Sequence, residues 1–171
     1  MSDPEDLTID QQVPQLEDSR RISHEGPPQL SNYQLDRLLG TGSFGTVWAG
    51  VQVRTGVQVA VKVLHRTALG WDSFRQEVDT LRQVAEHPGV VTLFDAELDH
   101  DPPFFVMPWL RRGSLADLPQ RPTLNQAVQW FREAAQALQY THDKGILHCD
   151  IKPSNLLLDE EGHVRLVDFG Q

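Results

Sequence analysis

The stretch HCDIKPSNLLLDEEGHVRLVDFG, residues 148–170, decides how the rest of the chain is read. Its polar residues Asp150, Lys152, Asn155 and Asp168 are set into otherwise apolar, strand-like sequence. Charged and amide groups there cost free energy unless something pairs with them. Leu156, Leu157 and Leu158 form one short apolar run, and Val164, Leu166 and Val167 form another. Between them Asp159-Glu160-Glu161-Gly162 reads as a turn, its glycine free to take positive φ. A hairpin folded on that turn brings Asn155, just before its first strand, near Asp168, just after its second. Two carboxylates and an amide oxygen then converge. Such hard oxygens suit magnesium, which keeps some waters and takes further ligands from a substrate phosphate. Asp150 and Lys152 lie just ahead, placed to orient a hydroxyl and to neutralise a phosphoryl oxygen.

The chain around this stretch has 171 residues, enough for one domain with a core. Its formal net charge of -9 argues against a nucleic-acid surface, which needs clustered Lys and Arg. No apolar run approaches the roughly 18 residues a membrane helix requires. MSDPEDLTID lacks the basic and apolar regions of a secretory signal. The single cysteine, Cys149, cannot form an intramolecular disulfide, which fits a reducing cytoplasm. Residues 1–32 are acidic and proline-bearing, without sustained period, and read as a disordered tail.

Folded sequence is expected from Tyr33. YQLDRLLG and TVWAGVQV read as two strands joined by the glycine loop Gly40-Thr41-Gly42-Ser43-Phe44-Gly45. A dinucleotide-binding glycine motif opens a helix, whereas β-branched and aromatic residues follow this one, so the loop belongs to a hairpin. VQVAVKVL is a third strand, with Val59, Val61 and Val63 on one face and Ala60, Lys62 and Leu64 on the other. From Trp71 to Ala85, the residues Phe74, Val78, Leu81 and Ala85 keep helical spacing, and Glu77 sits beside that stripe. VVTLFDAEL and FFVMPWL read as further strands, and Ser114 as the cap of a short LADL helix. Residues 124–144 predict a longer helix with Leu124, Val128, Phe131, Ala135 and Leu138 on its apolar face.

The pattern H-x-D-x-K-x-x-N followed by D-F-G resembles the catalytic and magnesium-binding loops of eukaryotic-type serine/threonine protein kinases. The strand-flanked glycine loop and the V-A-V-K of residues 59–62 resemble the same family. Small-molecule phosphotransferases of related fold are the nearest competitor, but they typically lack the lysine two residues after the aspartate and the D-F-G triplet. The resemblance implies an α+β protein-kinase-like fold over residues 33–171. An antiparallel small lobe with one helix would span 33–107 and a hinge 108–110. The first, mainly helical part of a large lobe would span 111–171.

It further implies ATP and Mg2+ as cofactors and a protein Ser/Thr hydroxyl as acceptor, Lys152-Pro153 matching the serine/threonine form of the loop. Lys62, held by Glu77, would fix the α- and β-phosphates. Asn155 and Asp168 would bind magnesium, Asp150 would orient the acceptor, and Lys152 would stabilise the transferred phosphoryl. Gly40, Gly42, Ser43, Phe44, Gly45, Val47, Ala60, Met107, Pro108, Leu110 and Leu157 would surround the nucleotide. Pro108 lacks an N–H but keeps its carbonyl, and Leu110 keeps both groups for adenine. His148 would stack with Leu81, Leu93 and Phe169. Cys149 stands where most regulated members carry an arginine that pairs with a phosphorylated loop. A small buried thiol is the commoner state for such a residue. The matching sequence ends one residue past D-F-G, so the expectation is a fragment, weak or inactive by itself. The apolar face of 124–144 would then be left without a packing partner. A non-catalytic kinase-like module that binds nucleotide or a partner stays open as the alternative.

Overall fold

The computed structural model describes residues 26–42, 44–65 and 70–169. The tail expected at 1–32 lies outside them as far as residue 25, and so does Ser43 of the glycine loop. Within the remaining stretch Leu30 is buried against Tyr33, Leu35 and the valines of residues 59–63. Packed chain therefore begins a few residues earlier than composition suggests.

Five strands form one antiparallel sheet among the described residues: β1 (Tyr33–Thr41), β2 (Gly45–Gln52), β3 (Gln58–Leu64), β4 (Asp95–Glu97) and β5 (Phe104–Pro108). Their spatial order is β1-β2-β3-β5-β4. β3 is central because it is apolar on both faces, as a strand covered on both sides must be. Val59, Val61 and Val63 pack on Phe104 and Val106, whereas Leu64 joins a second cluster with Phe74, Val78 and Leu81. Alternation thus sends Lys62 to the helix side with Leu64, as the period-2 reading requires. Gly45 is a requirement of the β2–β3 register: a Cβ there would collide with the Val63 carbonyl.

Helix α1 (Trp71–Val84) lies on that helix side and buries Phe74, Glu77, Val78, Leu81 and Val84. Helix α2 (Leu124–Asp143) opens with a capping box in which Thr123 and Gln126 satisfy each other's backbone N–H groups. Strands β6 (Leu156–Leu158) and β7 (Val164–Leu166) form a separate hairpin. Its turn ends on Gly162 at φ 90°, a left-handed conformation that glycine adopts without a Cβ penalty.

Three sequence expectations are corrected. The strand read in VVTLFDAEL shrinks to Asp95–Glu97, because the Val91 N–H donates to the Leu166 carbonyl and Gly89 accepts from Leu166. That backbone is spent on β7 instead of the sheet. The LADL segment is a turn, not a helix: the Leu115 N–H donates to the Leu156 carbonyl, and the Ser114 hydroxyl accepts from the Ala116 N–H. Third, the face by which α2 docks is Trp130, Ala134, Ala137 and Thr141. The stripe of Leu124, Val128 and Phe131 is exposed at 79%, 51% and 79%. Leu138, the last residue of the expected face, instead packs partly buried against the main core cluster.

Candidate active site

Between the sheet and the hairpin lies a cleft of about 630 Å³. Gly40, Gly42, Phe44, Gly45, Val47 and Ala60 form its sheet-side wall. Met107, Pro108 and Leu110 line the segment leaving β5, and Leu157 faces them from the hairpin. Lys62, Glu77, Asp150, Lys152, Asn155 and Asp168 all reach the same space. Every expected site residue within the described residues therefore borders one cleft.

The polar end is built around Lys62. Its Nζ donates to both Glu77 carboxylate oxygens at 2.8 and 2.7 Å and to Asp168 Oδ1 at 2.5 Å. Residues 106 positions apart are joined by that last bond. Burial alone would lower the lysine's pKa, but Glu77 and Asp168 outweigh it and raise it, so the ammonium stays charged. Glu77 is the most enclosed member, its side chain 5% exposed. Burial pushes its carboxyl up to about 7, against the pull of Lys62. Asp168 moves the other way: burial would raise it, yet Lys62 holds it below the usual carboxylate range. The two carboxylates divide one ammonium, and the better-solvated Asp168 keeps its charge more readily.

Asp168 sits at φ 70°, a left-handed conformation that aspartate tolerates better than most residues. This twist turns its carboxylate toward Lys62 while Phe169 packs on His148, ring centroids 4.5 Å apart. His148 is buried, and burial lowers its pKa, keeping the ring neutral. Nδ1 accepts from the Asp150 N–H at 3.3 Å, so Nε2 carries the proton and donates to the Val167 carbonyl at 2.9 Å. His148 thus ties the Asp150 loop to the Asp168 loop, with both ring nitrogens engaged in hydrogen bonds. Leu81 and Phe169 are buried in one cluster, with Leu93 partly buried against it.

Asp150 accepts from Lys152 Nζ at 2.6 Å and from Asn155 Nδ2 at 3.0 Å. Lys152 first, and then Asn155, hold its carboxyl below the ordinary value. Asn155 Nδ2 also donates to the Asp150 carbonyl at 2.9 Å. With its amide nitrogen committed, Asn155 has its oxygen left as the available ligand atom. The hairpin places it as the sequence suggests: Leu156 pairs with Leu166, and the Val167 N–H donates to the Asn155 carbonyl. An amide oxygen and the Asp168 carboxylate are a hard-oxygen set that fits magnesium.

Other features escaped sequence reasoning. The Leu110 carbonyl accepts from the Gly113 N–H, which leaves the Leu110 N–H as the freer of its two backbone groups. Cys149 is exposed, not buried; it sits at φ 62° on the turn into Asp150, and that turn faces it outward. Arg37, Trp109 and Arg111 also line the cleft, with guanidinium carbons 5.0 and 4.9 Å from the indole centroid. Residues 72 apart in sequence meet there without a motif to announce it.

A family model for the protein kinase domain matches residues 33–171. The chain is similar to CBL-interacting protein kinase 16 of Oryza sativa subsp. japonica, with 38% identity over 148 residues, covering 82% of this chain and 32% of the relative. It is also similar to CBL-interacting serine/threonine-protein kinase 20 of Arabidopsis thaliana, 35% identical over 147 residues, covering 82% and 33%. A third relative, CBL-interacting serine/threonine-protein kinase 16 of Arabidopsis thaliana, is 33% identical over 163 residues, covering 91% and 34%. The chain spans about a third of the length of these curated relatives. With the antiparallel sheet, the helix bearing Glu77 and the Asp168 hairpin closing on one cleft, this chain belongs to the protein kinase domain family.

Proposed function

We propose that the cleft transfers the γ-phosphoryl of ATP to a protein Ser/Thr hydroxyl, with the sheet side as the small lobe and 108–110 as the hinge. The observation that carries this reading is the meeting of Lys62, Glu77, Asp150, Asn155 and Asp168, drawn from β3, α1 and two loops, at one end of one cavity. A scaffold that binds only a partner needs no such charged constellation. The relatives' names point to Ser/Thr as the acceptor class. The single cysteine leaves no intramolecular disulfide and suits a cytoplasmic setting.

Phosphoryl transfer asks the protein chiefly for positioning and charge neutralisation. Lys62, steadied by Glu77, holds phosphate oxygens. Asp168 and the Asn155 oxygen would hold magnesium, which would supply neutralisation of phosphate charge. Asp150 accepts a hydrogen bond from the acceptor hydroxyl and aligns it. Because Lys152 keeps its carboxyl low, Asp150 is a weak base, and it takes up the proton late. Lys152 pairs with Asp150 in this structure and would turn to the transferred phosphoryl during the reaction.

The test is phosphate incorporation into a generic basic protein. Asp150→Asn is expected to lower it by about 10²–10⁴-fold while nucleotide binding persists. Binding without any Asp150-dependent transfer, under conditions where a full kinase domain works, would instead support the non-catalytic module.

A further inference from the structure

The cleft is lined by four cations, Arg37, Lys62, Arg111 and Lys152, and by four carboxylates, Glu77, Asp117, Asp150 and Asp168. Four against four, the lining is neutral in sum, and the Lys62 group keeps one carboxylate in excess. Lys62 is spent on Glu77 and Asp168, and Lys152 on Asp150. Asp117 accepts the Ser114 hydroxyl at 2.6 Å. Arg37 and Arg111 differ: no described carboxylate lies within ion-pair distance of either. What holds each is the Trp109 ring, at 5.0 and 4.9 Å from its centroid. An indole orders a guanidinium through its quadrupole without neutralising it. Two full positive charges are thus fixed at the cleft in a chain of net charge -9.

We propose that Arg37 and Arg111, ordered on Trp109, form a cationic rim that captures polyanionic nucleotides into the cleft. This rests on the nucleotide reading above and adds a step to it. The rim raises the association rate by drawing in a tri- or diphosphate that the rest of the surface repels. Rim charges act on association and salt dependence more than on dissociation. Both arginines are solvent-exposed, so substitution leaves the core intact.

Stopped-flow binding of a fluorescent N-methylanthraniloyl-ATP with magnesium tests the rim in this chain. At about 0.01 M salt, where the Debye length is about 30 Å, the Arg37→Gln/Arg111→Gln variant is expected to associate about 3–10-fold more slowly. Its dissociation rate stays within about twofold. At about 1 M salt, where screening is within about 3 Å, the two proteins associate at equal rates. Arg37→Lys/Arg111→Lys keeps the charge and is expected to keep most of the rate. Equal association at low salt, or a lysine variant as slow as the glutamine variant, overturns the rim while leaving the nucleotide site standing. Absence of nucleotide binding by the unaltered protein overturns the nucleotide reading and the rim with it.

Discussion

His163 and Glu133 show how single side chains report on the packing around them. Glu133 Oε1 and His163 Nδ1 lie 2.7 Å apart, and Glu133 Oε2 accepts from the Val164 N–H at 2.9 Å. Glu133 raises the His163 pKa above its ordinary 6.5. Burial would raise the Glu133 carboxyl, but bonds from Gln129, His163 and Val164 hold it below its ordinary 4.5. The raised histidine stabilises the fold fully below 6.5 and stops doing so as pH climbs through its folded value. The lowered glutamate stabilises above 4.5 and stops as pH falls through its folded value. Thermal unfolding of the wild type and His163→Ala should therefore differ most between pH 4.5 and 6.5 and converge at higher pH. Burial of neutral His148, which makes acid destabilising, is common to both proteins and cancels. A difference that does not vary with pH would show that the pair is not ionic.

At the scale of elements, α2 is fixed by one face and bare on another. Trp130 is 7% exposed, packs with Ala134, Leu158 and Val164, and donates its indole N–H to the Gly162 carbonyl. Trp130→Ala should cost about 3–5 kcal/mol in denaturant unfolding, and a loss below about 1 kcal/mol would mean that α2 does not anchor the hairpin. Phe131, one residue on and 79% exposed, should behave oppositely. Phe131→Glu is expected to change stability by no more than about 0.5 kcal/mol while reducing self-association in analytical ultracentrifugation, since it breaks an exposed apolar stripe.

This contrast also marks how much the sequence discloses. Residues 124–144 carry two apolar stripes at helical spacing, and periodicity cannot tell which one docks. The choice depends on a Gly162 carbonyl supplied from outside the helix. The same reason shortened β4, whose neighbouring backbone bonds to Leu166, and dissolved the LADL helix, whose backbone bonds to Leu156. By contrast, the β6–β7 hairpin and the two faces of β3 were legible. Each rests on local spacing that tertiary contacts merely complete. The Arg37–Trp109–Arg111 stack was invisible because nothing local requires it.

For the molecule as a whole, the account requires segments far apart in sequence to act as one phosphate-and-metal grip. Lys62 is its junction, bonded at once to Glu77 of α1 and to Asp168 beyond β7. Removing Glu77 should loosen Lys62 without emptying the cleft. Glu77→Gln is thus expected to weaken nucleotide binding less than Asp168→Asn, which removes both a partner of Lys62 and the carboxylate offered to magnesium. Isothermal titration of ATP, with and without magnesium, into the wild type and Asp168→Asn tests the claim most directly. The account predicts one site whose affinity rises with magnesium in the wild type and loses that dependence in Asp168→Asn. Equal affinity with and without the metal, unchanged by the substitution, would contradict it.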